Sequence, residues 1–159
     1  MGLTQSIKEG VAVINNSKIS ATIVFTQHLE YVEINYYVSG LNTNGIHGFH
    51  IHESGDLREG CASCCNHYNP HNKKHGGLKD IESHAGDLGN LQADETGISY
   101  GIIKTNKFNL SEVIGRSIII HADADDLGKG GHNDSLITGH SGKRIACAII
   151  GISKNNCIK

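Results

Sequence analysis

The stretch His47-Gly-Phe-His-Ile-His52 predicts a β-strand with a metal-binding face. In an extended strand, residues two apart point to the same face, about 6 to 7 Å apart along the chain. His50 and His52 can therefore share one metal ion, while Ile51 points into a hydrophobic core. On a helix the two imidazoles would diverge by about 200°. Because a single His-x-His pair is often only a solvated strand face, the surrounding residues must decide between the two interpretations.

The segment that follows this strand contains further potential ligands. Seven of the 11 histidines lie between His47 and Asp87. His67, His75, His84 and Asp87 lie in a Gly-, Asn- and Lys-rich segment that predicts an irregular loop. A loop of this length is uncommon unless it is functional or held in place. Three imidazoles and a carboxylate would satisfy a tetrahedral zinc ion. A polar loop with scattered histidines is the alternative.

His121 ends a β-branched run just before a second polar loop, where a binding residue on a rigid scaffold would lie. With it, the candidate ligands are six histidines and one aspartate: His50, His52, His67, His75, His84, His121 and Asp87. Two four-coordinate ions need about eight donors, one more than these residues supply. One imidazole that uses both ring nitrogens would close the gap. His67 is the natural candidate, because it lies in the chain between the His50/His52 pair and His75.

The rest of the chain predicts an all-β protein, one antiparallel domain spanning residues 1–159. Hydrophobic residues make up 38% of the sequence and charged residues 19%, which argues against disorder. There are 20 glycines, one proline and no convincing helix, and Asn15-Asn16 predicts a two-residue hairpin turn. The eight predicted strands cover residues 8–14, 17–27, 30–39, 47–52, 84–94, 97–105, 116–122 and 144–152. Two long loops, the longer before His84 and the other over 123–143, complete a sandwich or barrel.

Charge and hydropathy exclude several classes of partner. The net charge is −2 and no basic block occurs, so nucleic acid and anionic membrane surfaces are poor candidates. No apolar run approaches the ~20 residues of a membrane span. The N-terminus lacks a signal-peptide layout, and we expect a cytoplasmic protein. Met1-Gly2 with Ser6 loosely fits a myristoylation pattern, but a plain lead into the first strand is favoured.

Six motifs together are similar to the copper/zinc superoxide dismutase family, in order and spacing over nearly the whole chain. They are Gly48-Phe-His-Ile-His-Glu-Ser-Gly-Asp56, His67-Tyr-Asn-Pro70, Lys74-His-Gly-Gly77, His84-Ala-Gly-Asp-Leu-Gly-Asn90, Asp125-Asp-Leu-Gly-Lys-Gly-Gly131 and Gly139-His-Ser-Gly-Lys-Arg-Ile-Ala-Cys147. The resemblance implies an eight-stranded Greek-key barrel. It also implies disproportionation of superoxide to oxygen and hydrogen peroxide by a redox-cycling copper, joined through an imidazolate to a structural zinc.

The resemblance also implies a role for each site residue. Copper would be bound by His50, His52, His67 and His121. Zinc would be bound by His67, His75, His84 and Asp87, with His67 as the bridge and proton carrier. Asp125 would orient His50 and His75, and Arg144 would dock the anion or brace the Cys61 loop, or do both. Cys61 and Cys147 would form a disulfide, although a reducing compartment normally argues against one.

Several positions depart from the family pattern. Asp123 and Ile137 occupy places where lysines commonly attract the substrate, so we expect weaker attraction, partly offset by Lys143, His132 and His140. Ser54 replaces an aromatic residue beside the expected homodimer contact, for which Gly55, Ile114, Gly115 and Ile152 still form an apolar patch. Cys64 and Cys65 are alternative disulfide partners or a transient copper-loading site, and Cys157 is an incidental thiol. His71 is expected to be exposed.

A non-catalytic relative, such as a copper-chaperone domain or a metal-buffering protein, is the rival interpretation. Such relatives typically lack a metal ligand or the arginine, whereas this chain keeps all seven candidate ligands and Arg144. The copper-delivery partner of an enzyme is a further expected partner that no residue pattern identifies.

Overall fold

The computed structural model describes residues 6–157, so the Gly2 lipidation pattern lies outside the described residues. Within this range, nine strands form two antiparallel sheets. The strands are β1 (Glu9–Asn15), β2 (Ser20–Gln27), β3 (Val32–Ser39), β4 (Ile46–His52), β5 (Asp87–Gln92), β6 (Ser99–Thr105), β7 (Ser117–His121), β8 (Arg144–Ile149) and β9 (Gly151–Ile152). One sheet has the order β6-β3-β2-β1-β9 and the other β5-β4-β7-β8. The predicted all-β antiparallel class is confirmed.

The two sheets face each other across one hydrophobic core. Alternation along each strand places every second side chain in this core, as in Phe25, Phe49, Ile51, Ile118 and Ile120, all fully buried. No ladder between described residues joins the two sheets, so the fold is a sandwich rather than a hydrogen-bonded closed barrel. Because the alternation along β4 sends Phe49 and Ile51 inward, His50 and His52 share the opposite face.

The prediction of one continuous last strand over residues 144–152 is wrong. Ile150 interrupts it: its N–H donates to the Arg116 carbonyl (2.8 Å), and its own carbonyl accepts from Gly115 N–H (2.8 Å). The chain then switches sheets, with β8 pairing with β7 and β9 pairing with β1. An unbroken apolar run gives no sequence signal for this switch, because both halves are equally hydrophobic.

Two local predictions are also wrong. The first hairpin has a longer connection than the predicted Asn15-Asn16 turn, since Asn15 pairs with Ser20. The Asn16 side chain organises this connection by accepting hydrogen bonds from Lys18 N–H (2.9 Å) and Ile19 N–H (2.7 Å). The prediction without helices missed two single-turn helices, α1 (Leu110–Val113) and α2 (Ser135–Thr138), and two 3₁₀ turns, Gly60–Cys64 and Lys154–Asn156. No helix within residues 6–157 has the length and apolar character needed to cross a membrane.

Candidate metal centre

Strand register alone brings several predicted site residues together. His50 on β4 pairs with Asp87 on β5, and His121 on β7 pairs with Arg144 on β8. His52 forms an isolated bridge with His67, which anchors the long loop to the end of β4. A bulge interrupts each of the β4–β5 and β7–β8 ladders beside these pairs. Bulges of this kind redirect side chains at sites, and here they lie next to His50 and His121.

Four buried imidazoles form the first group: His50, His52, His67 and His121, whose ligand atoms all lie within 4.8 Å of one another. The Nδ1 atoms of His52 and His121 point away to backbone carbonyls, of Cys65 at 2.9 Å and of Gly142 at 3.3 Å. Their Nε2 atoms therefore face each other, 3.4 Å apart. Neutral imidazoles that donate through one nitrogen offer the lone pair of the other to a metal.

The second group centres on the Asp87 carboxylate. Its Oδ1 lies 2.9 Å from His67 Nδ1, 3.0 Å from His75 Nδ1 and 3.2 Å from His84 Nδ1. Its Oδ2 accepts from His84 N–H (2.8 Å) and Gly76 N–H (3.1 Å), which fixes the carboxylate plane. The second group thus places three imidazole nitrogens around one carboxylate oxygen.

His50 or His84 could be the fourth member of this second group. Ligand atoms that all lie within 4.8 Å of one another are found on His50, His67, His75 and Asp87. His84 Nδ1, however, lies only 3.3 Å from His67 Nδ1. We favour His84, because His50 Nε2 is already hydrogen-bonded to Asp125 and its other nitrogen belongs to the first group.

Asp125 connects the two groups from behind. Its Oδ2 accepts from His50 Nε2 and its Oδ1 from His75 Nε2, each at 2.7 Å. Gly139 allows this approach, because a Cβ there would lie 2.0 Å from Asp125 Oδ1. Carboxylates in this position fix the tautomer and orientation of metal-binding histidines.

Two supporting residues were missed by the sequence interpretation. Asn90 forms reciprocal hydrogen bonds with the Asp125 backbone, donating to its carbonyl (2.9 Å) and accepting from its N–H (2.7 Å). His47, buried and without an assigned role, donates through Nδ1 to the His121 carbonyl at 2.8 Å. Nothing in their spacing distinguishes them, since both act on backbone groups that only the folded chain brings near.

Burial keeps the first group neutral. Desolvation lowers the pKa of His50 and His52 well below the usual range, and it lowers the pKa of His121 to about 4. Burial also lowers the pKa of His67, although Asp87 opposes this. Neutral imidazoles with available lone pairs are the form that binds metal ions.

The second group has the opposite electrostatic character. Burial opposes protonation of His75, but hydrogen bonds with Asp125 and Asp87 outweigh it and raise the pKa of His75 to about 9. Burial would raise the pKa of Asp87, yet its three histidine partners hold that pKa far below the ordinary range. The negative charges of the two carboxylates thus favour a cation at this position, either a proton or a metal ion.

The residues fit the copper and zinc that the first and second groups suggest. His50 Nδ1 and His67 Nε2 are buried with no hydrogen-bond partner among the described residues. Buried polar atoms without partners are costly, and a metal ion would satisfy both of these. The donor sets, four imidazoles on one side and imidazoles with a carboxylate on the other, suit copper and zinc.

A cavity of about 420 Å³ leads to the first group, and Arg144 lines it together with His52, His67 and His121. Arg144 donates through Nη1 to the Cys61 carbonyl (2.9 Å) and through Nη2 to the Cys65 carbonyl (2.6 Å). The guanidinium is half-buried and braced by the loop, so its charge faces the cavity in a fixed position.

The Cys61–Cys147 disulfide is confirmed, with a Cα–Cα distance of 5.7 Å. It joins the loop that braces Arg144 to β8, the strand on which Arg144 lies. Cys64 is buried and free, and Cys65 and Cys157 are exposed and free, so the alternative pairings are not formed. His71 is exposed and belongs to neither metal-ligand group.

Comparison with known proteins agrees with this geometry. Residues 19–150 match the family model described as copper/zinc superoxide dismutase (SODC). The chain belongs to the copper/zinc superoxide dismutase family. It is 44% identical over 151 residues to the Cu-Zn superoxide dismutase of Yarrowia lipolytica, a match covering 91% of this chain and 98% of that protein. It is 45% identical over 141 residues to that of Paramecium bursaria Chlorella virus 1, covering 87% and 75%.

A solved structure of the same architecture, a crystal structure analysis of the clock protein EA4, superposes with a TM-score of 0.91 at 40% identity. The match covers 96% of this chain and 99% of that one. Members of the copper/zinc superoxide dismutase family are oxidoreductases, and the two His/Asp groups described above could bind the copper and zinc for which the family is named.

Proposed function

We propose that this protein disproportionates superoxide to oxygen and hydrogen peroxide, with copper held by His50, His52, His67 and His121 and zinc by His67, His75, His84 and Asp87. The position of His67 carries this proposal. Its Nδ1 lies 2.9 Å from Asp87 Oδ1 in one group, while its buried Nε2 faces the other group without a hydrogen-bond partner. A single ring is therefore placed to serve both ions.

Copper supplies one-electron oxidation and reduction, so two superoxide anions and two protons become one oxygen and one hydrogen peroxide. Zinc has no redox chemistry to offer, so its part would be structural, held by the second group. His67 Nε2 has no hydrogen-bond partner among the described residues, so whenever it does not bind copper it can take up a proton and pass it to the product. Asp125 binds the Nε2 atoms of His50 and His75, which leaves the Nδ1 atoms of both rings as the nitrogens that would hold the metals.

Arg144 is the group that receives the substrate. It lies in the cavity wall beside His121, and its permanent charge attracts a small anion to the position above the four imidazoles. The same side chain braces the Cys61 loop, so the docking and structural roles proposed from the sequence are compatible in one residue.

Superoxide decay followed by stopped-flow spectroscopy on protein loaded with one copper and one zinc per chain tests the function. We expect rapid catalysed decay that is abolished in His121→Ala. In Arg144→Ala the rate should fall about tenfold to a hundredfold, since a hydrogen bond to a charged group contributes roughly 1.5–3 kcal/mol. Exposed Arg58, paired with Asp56 outside the cavity, supplies the matched control Arg58→Ala, which should retain full activity. Decay no faster than with free copper at the same concentration would overturn the proposal.

The rival function, a non-catalytic metal carrier, has no specific support in the structure. The Cys61-x-x-Cys64 spacing that could have formed a carrier site is interrupted, because Cys61 is bonded to Cys147 and Cys64 is buried. All the predicted ligands and Arg144 lie around the same cavity or directly behind it.

A homodimer is part of the proposal. Ile152, which belongs to the predicted patch with Gly55, Ile114 and Gly115, is 55% exposed. Ile149, 45% exposed, extends this patch. Gly55 packs directly on Gly115, because a Cβ at Gly55 would lie 2.0 Å from the Gly115 carbonyl oxygen. Sedimentation equilibrium should give twice the chain mass, and Ile152→Glu should give monomers. A monomeric wild-type protein at micromolar concentration would contradict this.

We also propose a cytoplasmic location and delivery of copper by a partner protein, both of which rest on the sequence interpretation. Subcellular fractionation tests the first. Copper occupancy of protein made in cells, compared with protein loaded in vitro, tests the second, because unaided loading in cells would remove the need for a partner.

A further inference from the structure

A second histidine pair lies outside the buried centre, in the loop after β7. The rings of His132 and His140 are stacked, with centroids 3.7 Å apart and planes within 10°. Both residues are exposed. The helical turn α2 separates them in the chain. Gly139 (φ 68°) and His140 (φ 51°) both have left-handed backbone conformations, which reverse the chain and return the second ring over the first.

Asp134 gives His140 a defined tautomer. His140 Nδ1 lies 2.7 Å from Asp134 Oδ1, and the other carboxylate oxygen accepts from Thr138 Oγ1 at 3.1 Å. An ionised carboxylate can only accept, so the neutral form of the ring has its proton on Nδ1 and its lone pair on Nε2. Metal-binding histidines commonly donate their second nitrogen to a carboxylate in this way.

Two hydrogen bonds with Ser135 fix the backbone of His132. Its N–H donates to Ser135 Oγ (2.9 Å), and its carbonyl accepts from Ser135 N–H (3.1 Å). Ser135 is itself buried and hydrogen-bonded to Asp126. The His132 ring makes no hydrogen bond with residues 6–157, and the broad χ2 preference of histidine allows it to turn about its Cβ–Cγ bond.

We propose that His132 and His140 form a third, exposed site for a divalent transition-metal ion such as Zn²⁺, with Asp134 orienting His140. Bonds of about 2.0–2.1 Å place two tetrahedral donors roughly 3.3 Å apart. In the stack the two ring planes are nearly parallel, so the His132 ring must leave the stack to share an ion with His140. Rotation of the His132 ring about χ2 points its nitrogen toward the ion that His140 Nε2 binds, and water completes the coordination. The site lies at the mouth of the main cavity, because Asp134 also lines that cavity.

This exposed site differs from the two buried metal-ligand groups in its expected affinity and in its surroundings. It supplies two protein nitrogens in water, whereas each buried group supplies four donors, so its ion should dissociate more readily. An ordinary ion pair that only closes the loop is the competing explanation for the His140–Asp134 contact. The two explanations diverge for Asp134→Asn, which retains the shape of the side chain but removes its charge.

Zinc titration of protein whose buried groups already hold copper and zinc tests the proposal, with the exposed thiols of Cys65 and Cys157 alkylated beforehand. Equilibrium dialysis with elemental analysis should show one additional zinc per chain. Binding should be lost in His132→Gln and in His140→Gln, and it should weaken about tenfold to a hundredfold in Asp134→Asn. The control His71→Gln, at an exposed histidine outside the loop, should bind as the wild type does.

Nitrogen-15 NMR of the imidazoles in the wild-type protein provides a readout that does not depend on variants. The addition of zinc should shift one nitrogen of His132 and Nε2 of His140, while Nδ1 of His140 stays protonated. The proposal would be overturned if the wild-type protein bound no additional zinc ion. It would also be overturned if that ion still bound to both glutamine variants, or if Asp134→Asn bound it with unchanged affinity.

Discussion

At the scale of single residues, Asp125 is the point on which both metal groups depend. One carboxylate fixes His50 and His75 through two hydrogen bonds of equal length, 2.7 Å, and Asn90 fixes Asp125 in turn. This chain of contacts explains how rings on a strand and on a loop keep a common orientation. It also means that damage to Asp125 should affect copper and zinc together.

Replacement of Asp125 by asparagine should therefore weaken the binding of both ions about tenfold to a hundredfold, which is typical for the loss of a carboxylate behind a metal-binding histidine. Competition with a chelator of known affinity, read for each metal separately, measures this. Asp123→Asn is the matched control, since Asp123 is exposed and contacts neither ring. Weakening of only one ion would show that the shared-carboxylate explanation is wrong.

The pH dependence of the metal-free protein follows from its buried imidazoles. An unfolded imidazole has a pKa near 6.5, whereas burial lowers the pKa of His121 to about 4 and also lowers those of His50, His52 and His67. As the pH falls below about 6.5, the unfolded chain takes up protons that the folded chain cannot, so folding loses stability. His75 acts oppositely, because its pKa is raised to about 9 and its contribution is lost as the pH rises through that value.

We therefore expect the free energy of unfolding of the metal-free protein to fall steadily between pH 6.5 and about 4. Urea denaturation at a series of pH values measures it. His121→Leu should have a shallower slope over the same range, since one group with a lowered pKa is removed. A stability that is flat or rises toward pH 4 would contradict the buried, neutral state of these rings.

At the scale of elements, the disulfide and Arg144 join the long loop to β8. Cys61 lies in the 3₁₀ turn Gly60–Cys64, and its carbonyl accepts from Arg144, while its sulfur is bonded to Cys147 three residues further along the same strand. The loop also forms hydrogen bonds of its own, such as that from Lys74 N–H to Glu82 Oε1 (2.8 Å), and its bridge to β4 holds His67. The attachments to β8 fix the part of the loop around Cys61 and Cys65.

Replacement of Cys147 by serine should lower the free energy of unfolding of the metal-free protein by about 2–5 kcal/mol, because the bond closes a long loop with a sequence separation of 86. Chemical denaturation measures the loss. Cys157→Ser removes an exposed thiol in the tail and serves as the control, expected to be within experimental error of the wild type. Equal stability of Cys147→Ser and wild type would show that the loop is held by other contacts.

Several strands were predictable because one face of each packs in the hydrophobic core, so alternation such as that of Phe49, His50, Ile51 and His52 is visible in the sequence. The switch at Ile150 was not predictable, because it depends on backbone partners far away in the chain. The turn at Asn16 was not predictable either, because it depends on the geometry of one side chain. The clustering of the candidate metal ligands could be predicted from residue types and family motifs. The supporting contacts of Asn90 and His47 could not, because both residues bind backbone groups whose neighbours only the fold determines.

At the scale of the whole molecule, the charges around the cavity are mixed rather than positive. Arg144 is the cation in its wall, whereas Asp134 and Glu53 also line it and Ile137 is 61% exposed at its rim. His140 is paired with Asp134, so its charge is partly compensated when it is protonated. Attraction of an anion over long distance should accordingly be weak.

The catalytic rate should therefore depend only weakly on ionic strength from about 10 to 200 mM, a range over which salt strongly screens exposed charges. Ile137→Lys should raise the rate at low salt and steepen the dependence, whereas Ile137→Gln, polar but uncharged, should do neither. Stopped-flow rates over a salt series measure this. A steep fall in the wild-type rate would show that the field around the cavity is more positive than the residues indicate.

The most direct test of the central claim is a crystal structure of the loaded protein with anomalous diffraction recorded at the copper and zinc edges. We predict one ion of each element in the buried centre of each chain, with the His67 ring between them, Nε2 toward copper and Nδ1 toward zinc. A His67 ring bound to one ion only, or turned away from both, would contradict the account.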